Sequence, residues 1–257
     1  MDFYFTYSLT DVVYEQSVVP AKKLLRQICR YQRDGYLCDT VIVTDDGRLL
    51  AHSLVLAAAS PMFKAALKVT DRPTEHIIVI PGVKSSVMKT VLQLMYADEI
   101  VPMPKDTTDV MSLMSELQLA CLQQTDDVAV GSQQSAVHAR KLLRQICHYR
   151  RDGYLCDTMI VTDDGRLMAH SLVLTAASPM FKAALKVTDR PREQIIVIPG
   201  VKSSVMKTVL LFVYVGEIVP MPKDTTDVTS LMSELQLLCL QHTEYVADFP
   251  CISVDGL

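Results

Sequence analysis

The chain contains one block twice. Residues 37–63 read LCDTVIVTDDGRLLAHSLVLAAASPMF, and residues 155–181 read LCDTMIVTDDGRLMAHSLVLTAASPMF. Only Val41, Leu50 and Ala57 are replaced, by Met159, Met168 and Thr175, and matching residues lie 118 positions apart. A self-match of this length requires both copies to fold alike. The 257 residues leave room for two units of ordinary size, each able to bury a core. The expected division is an N-terminal extension over 1–20, a unit over 21–125, a linker over 126–138, a second unit over 139–243 and a tail over 244–257. Residues 126–136, DDVAVGSQQSA, are polar and without periodicity, which marks the linker.

Composition excludes several classes. The net charge is −4 and no long basic run occurs, which argues against non-specific phosphate binding and direct nucleic-acid contact. The first twenty residues carry Asp2, Asp11 and Glu15, unlike the positive start of a signal peptide. The longest apolar run, 209–215, is far too short to cross a bilayer. Seven cysteines form no CxxC pair, and six match between copies: Cys29 with Cys147, Cys38 with Cys156, Cys121 with Cys239. They read as small core residues repeated by duplication rather than a disulfide framework. The expectation is a soluble intracellular protein, cytoplasmic or nuclear, making no membrane contact.

Within one unit the apolar period changes several times. Leu24, Leu25, Ile28 and Tyr31 follow helical spacing, Lys23, Arg26, Arg30 and Arg33 decorate the other face, and Gly35 stops the helix. This helix has two readings, one packed into the core of its own unit and one turned towards a partner. The β-branched run 40–44 and the segment 48–52 predict a hairpin joined by Asp45, Asp46 and Gly47. Ser53 is expected to cap a short helix, and Ser60 a second that begins at Pro61 and points Phe63 and Leu67 inward. A polar connection over 69–75 leads to a strand over 77–80. A helix then runs from Ser85 or Ser86 to about Tyr96, and a last one from Thr107 or Thr108 carries Val110, Leu113, Met114, Leu117 and Cys121. The second copy repeats every element, and Phe3 to Tyr7 could form a short strand with no evident partner. The fold class is α/β, with helices clustered around a small mixed sheet in each unit.

Asp39, His52 and Ser60, repeated as Asp157, His170 and Ser178, invite a triad reading. Against it, Ser60 already serves as a helix cap, His52 ends a strand inside an apolar block, and no GxSxG elbow occurs. His52, His76 and His138 lack ligand-like neighbours, and glycine never clusters into a phosphate loop. No catalytic, metal or cofactor site is expected.

The block resembles the start of a BTB/POZ domain through Cys38-Asp39, Ala51-His52, Val55-Leu56, Ser60 and Phe63, with Phe181 as the last residue's repeat. Tyr96 with Glu99-Ile100 is similar to the family's Tyr-x-Gly-Glu-Ile, which Tyr214, Gly216, Glu217 and Ile218 match in full; the first copy has Asp98 in place of the glycine. The resemblance implies a non-enzymatic unit for dimerisation and partner recruitment, its first helix forming much of the dimer interface. Leu24, Leu25 and Ile28, with Leu142, Leu143 and Ile146, are then expected at an interface, in cis between the copies or in a homodimer. Two departures from the family pattern stand out. Transcription-factor members place a basic residue after the histidine, where this chain has Ser53 and Ser171. The apolar-x-Glu motif of ubiquitin-ligase adaptors is not seen after Phe63, so cullin binding lacks its motif. The expected role is an adaptor or scaffold for protein partners, with a cullin-ligase adaptor or a transcriptional regulator lacking its own DNA-binding domain as the alternatives.

Overall fold

The computed structural model describes residues 9–67, 76–96, 107–119, 131–185, 194–215 and 225–237. The expected strand at Phe3–Tyr7, the 69–75 connection, Cys121, Cys239 and the tail 244–257 lie outside the described residues.

Each copy is a three-stranded sheet set among helices. In the first, α1 (Leu9–Arg33) leads into β1 (Thr40–Val43) and β2 (Arg48–Ala51), then α2 (Ser53–Ala59) and α3 (Pro61–Leu67). After them come β3 (His76–Val79), α4 (Ser85–Tyr96) and α5 (Thr107–Glu116). The second copy follows in the same order: α6 (Gly131–Arg151), β4 (Thr158–Thr162), β5 (Gly165–Ala169), α7 (Ser171–Ala177), α8 (Pro179–Ala184), β6 (Gln194–Val197), α9 (Ser203–Val215) and α10 (Thr225–Glu234). The strand orders are β2-β1-β3 and β5-β4-β6, antiparallel on one side of the middle strand and parallel on the other.

Alternation along β1 decides which face is core. Thr40 and Ile42 are buried, whereas Val41 and Val43 share the opposite face with Leu50, Ile77 and Val79. Ile42 on the buried face shares one core with Val55, Leu56, Met88, Val91 and Met95, each under 1% exposed. The hairpin turn is held by Thr44, whose N–H donates to the Gly47 carbonyl at 2.9 Å.

Gly35 ends α1 as expected, through a left-handed φ of 69°. Its N–H donates to the Gln32 carbonyl and that of Tyr36 to the Tyr31 carbonyl, the paired bonds of a Schellman cap. The apolar contact that accompanies such caps is here a pair of tyrosines, Tyr31 and Tyr36, with ring centroids 4.6 Å apart. Gly153, Tyr149 and Tyr154 repeat the arrangement, with centroids 4.9 Å apart.

Two boundaries differ from the sequence reading. α1 starts at Leu9 inside the expected extension, because the helix runs through Pro20 where a proline signals a start. α6 starts at Gly131, so residues 131–138 of the expected linker are helical. That stretch lacks an apolar stripe, but its Gln and Ala residues favour a helix. The expected cap at Ser53 is also corrected: His52 holds the N-cap position without a side-chain bond, and Ser53 is the first helical residue.

Candidate interface between the two copies

The short helix α2 creates an unmet need. In an α-helix the Ala57 carbonyl would accept the N–H four residues on, but that residue is Pro61, which has none. The chain breaks there for a second reason: Ser60 is extended and accepts the Phe63 N–H at its hydroxyl, 3.2 Å away, to start α3. The Ala57 carbonyl is served instead from the other copy. Tyr149, near the end of α6, donates its hydroxyl to it at 2.9 Å. The relation is reciprocal, since Tyr31 on α1 donates to the Thr175 carbonyl at 3.0 Å, and Pro179 leaves that carbonyl in the same position.

A second reciprocal contact surrounds the first. Lys64 on α3 places its Nζ 4.3 Å from the Tyr149 ring centroid and 5.4 Å from that of Tyr154. Lys182 on α8 does the same with Tyr31 at 4.7 Å and Tyr36 at 4.9 Å. The Schellman cap thus assembles two rings into a cradle for the other copy's ammonium group, an attraction worth about 0.5–2 kcal/mol. Burial raises the Tyr36 phenol above its ordinary pKa, with Tyr31 adding to the rise and Lys182 opposing it.

Leu24, Leu25 and Ile28 are buried on α1, as are Leu142, Leu143 and Ile146 on α6. α1 packs against α6 and α7, and α6 against α1 and α2, while α1 also meets α4 and α6 meets α9. Elements of both copies therefore flank each stripe. One contact breaks the symmetry. His138 donates from Nε2 to the Met95 carbonyl at the end of α4, 2.8 Å away, while its buried Nδ1 has no partner among the described residues. The position 118 residues earlier is Pro20, which has no side-chain donor.

The apparent triad comes apart. His52 accepts the Tyr96 hydroxyl at Nδ1 (3.1 Å) and donates from Nε2 to the Tyr36 carbonyl (3.0 Å), while its own backbone N–H donates to the Tyr96 oxygen at 2.8 Å. This pattern fits one neutral tautomer, and burial holds the ring below its ordinary pKa. Asp39 turns to Ser53, accepting its N–H at 2.6 Å and its hydroxyl, so the carboxylate does the capping expected of Ser53. Ser60 donates to the Leu117 carbonyl at 2.5 Å. Asp157, His170, Ser178 and Tyr214 repeat these bonds, and Phe63 and Phe181 are both 2% exposed. Cys38, 3.6 Å from His52 Nε2, has its thiol pushed up to about 12 by burial and by Asp39, and is no nucleophile at neutral pH. Among the described residues no His, Cys, Asp and Glu cluster could hold a metal, and no helix is long and apolar enough to cross a membrane.

The signature residues are thus joinery: a histidine at the mouth of α2, a tyrosine at the end of α4 and a serine bridging to the end of α5. A family model of the BTB/POZ domain matches residues 29–130 and 147–245. The chain belongs to the BTB/POZ family. Human zinc finger and BTB domain-containing protein 14 is 32% identical over 88 residues, covering 34% of this chain and 20% of that protein. Human gigaxonin is 27% identical over 126 residues, covering 46% and 21%. The solved BTB domain of human gigaxonin aligns with a TM-score of 0.35 at 27% identity, covering 43% of this chain and 88% of that one. This BTB/POZ chain spans about a fifth of the length of these two curated relatives.

Tyr149, Lys64 and Lys182 are absent from the sequence-based site, and Tyr31 enters it only as part of an apolar stripe. The available signal was the Ser-Pro pair after a short helix, which announces an unserved carbonyl without saying who serves it.

Proposed function

We propose that this BTB/POZ chain is a non-enzymatic adaptor or scaffold whose two copies pair with each other in cis and present a joint surface to protein partners. The observation that carries the reading is the reciprocal pair Tyr149–Ala57 and Tyr31–Thr175, in which each copy completes a helix end that the other cannot complete alone. The buried stripes of α1 and α6 support it, and Leu24, Leu25, Ile28, Leu142, Leu143 and Ile146 are its proposed apolar centre. A short tether raises the effective concentration of one copy for the other to the order of millimolar, which favours pairing in cis. That the Asp, His and Ser side chains are all engaged in structural bonds supports a role without catalysis.

Light scattering coupled to size exclusion at low micromolar concentration tests this. Cis pairing gives a mass near 28.6 kDa. After cleavage at a protease site inserted between residues 126 and 130, the two halves should still elute together. A dimeric mass, or halves that separate, removes the cis reading.

A further inference from the structure

Among the described residues no strand covers the β3 edge of the first sheet or the β6 edge of the second. In the parallel ladder with β1, His76 donates its N–H to Asp39 and Ile80 donates to Val43, so the even-numbered residues of β3 face the sheet. The N–H and carbonyl groups of Ile77 and Val79 therefore face outward, with no further strand beyond them among the described residues. Their side chains are 68% and 65% exposed. Ile195 and Val197 on β6, at 63% and 65%, repeat the arrangement. Natural edges are commonly guarded by a lysine, a proline or a bulge. Residues 77–80 and 195–198 both read IIVI, and the first guard is Pro81 or Pro199, just past the strand.

We infer that these edges pair with the same edges on a second copy of the chain, joining molecules into an open series through continuous sheets. The register supports this occupant. Antiparallel pairing centred on Ile78 sets Ile77 opposite Val79 of the second copy and Val79 opposite its Ile77. These are the residues whose backbone groups face outward, so each opposed pair exchanges two hydrogen bonds. The exposed Ile and Val side chains then meet on one face, the cross-strand contact that stabilises sheets. Identical sequence makes β3 and β6 interchangeable partners. Pro81 limits the pairing to a few residues, so each junction is weak and association belongs to high concentration. With two edges per chain the assembly does not close at a dimer.

Sedimentation velocity of the full chain from low micromolar to near-millimolar concentration tests this. The wild type is expected to show a growing series of species. Val79→Lys with Val197→Lys should keep the monomer's sedimentation coefficient throughout, with an unchanged melting temperature. Either substitution alone should stop the series at dimers, because one edge is left. Val79→Pro with Val197→Pro removes only outward N–H groups, and it should also abolish the series. A wild type that stays monomeric near millimolar overturns the inference, as does a series that survives the Lys pair. Loss with Lys but not with a folded Pro pair points to apolar adhesion rather than strand pairing, and overturns it too. Pairing in trans through α1 and α6 would stop at dimers and ignore the edge substitutions, so failure of the cis reading is seen separately.

Discussion

Tyr149 donates its hydroxyl to the carbonyl of Ala57, 2.9 Å away in the other copy and left without a helical donor by Pro61. The bond joins a local defect to a long-range contact. At the end of both α2 and α7 the carbonyl freed by the proline accepts a tyrosine hydroxyl of the other copy.

Tyr149→Phe keeps the ring beneath Lys64 and removes only the hydroxyl. The Ala57 carbonyl is then buried without a partner, and the expected loss is about 1–3 kcal/mol of unfolding free energy. Tyr31→Phe should cost a similar amount through Thr175. Urea denaturation of the two single variants and the double variant measures this. Values at or below the scatter between repeats would show that the hydroxyls reach solvent, as they would if the copies did not touch.

Lys64→Met retains most of the apolar stem and removes the charge over Tyr149 and Tyr154. A loss of about 0.5–2 kcal/mol is expected. A double-mutant cycle with Tyr149→Leu isolates the interaction, since Leu removes the ring as well as the hydroxyl. A coupling near zero in that cycle would rule out the cation–ring contact.

Ser60→Ala removes a hydroxyl with two tasks, accepting the Phe63 N–H and donating to the Leu117 carbonyl. Loss of the cap alone costs about 0.5–2 kcal/mol, and the second bond adds to it. Ser60→Thr keeps the hydroxyl and should recover part of the loss in thermal melts. Equal melting temperatures for wild type and the alanine variant would contradict both assignments.

Much of one copy could be read directly from its residues. The hairpin followed from β-branched alternation around Asp45-Asp46-Gly47, the end of α1 from Gly35, and the start of α3 from Ser60-Pro61. These features are local, so the sequence carries them within a few positions. What escaped depends on residues far apart. Asp39 replaces Ser53 as the cap of α2 because the end of the loop after α1 comes to lie beside that helix. Tyr149 meets Ala57 across 92 positions, and no periodicity encodes which hydroxyl serves an orphan carbonyl. The early start of α6 escaped because its first turns carry no apolar stripe, although His138 is buried there at 5% exposure.

Acid should loosen the protein through its buried histidines. Burial lowers the pKa of His52, His170 and His138 below the ordinary value of 6.5. Between the folded value and 6.5 the unfolded chain binds protons that the folded chain refuses, so stability rises with pH in that window. The contribution is present in full above 6.5 and is lost as pH falls below it, by at most about 1.4 kcal/mol per pH unit for each histidine. His138 is the one of the three whose ring bonds to the other copy; Lys141 on its own helix also opposes its protonation. In His138→Leu the Met95 carbonyl loses its donor, so stability near pH 7.5 should fall by about 1 kcal/mol, while the slope between pH 6.5 and 5 becomes shallower by up to one proton. Urea denaturation across that range gives both quantities. An unchanged slope in His138→Leu would mean that His138 takes up its proton equally in the folded and unfolded chains, and that its burial does not exclude it.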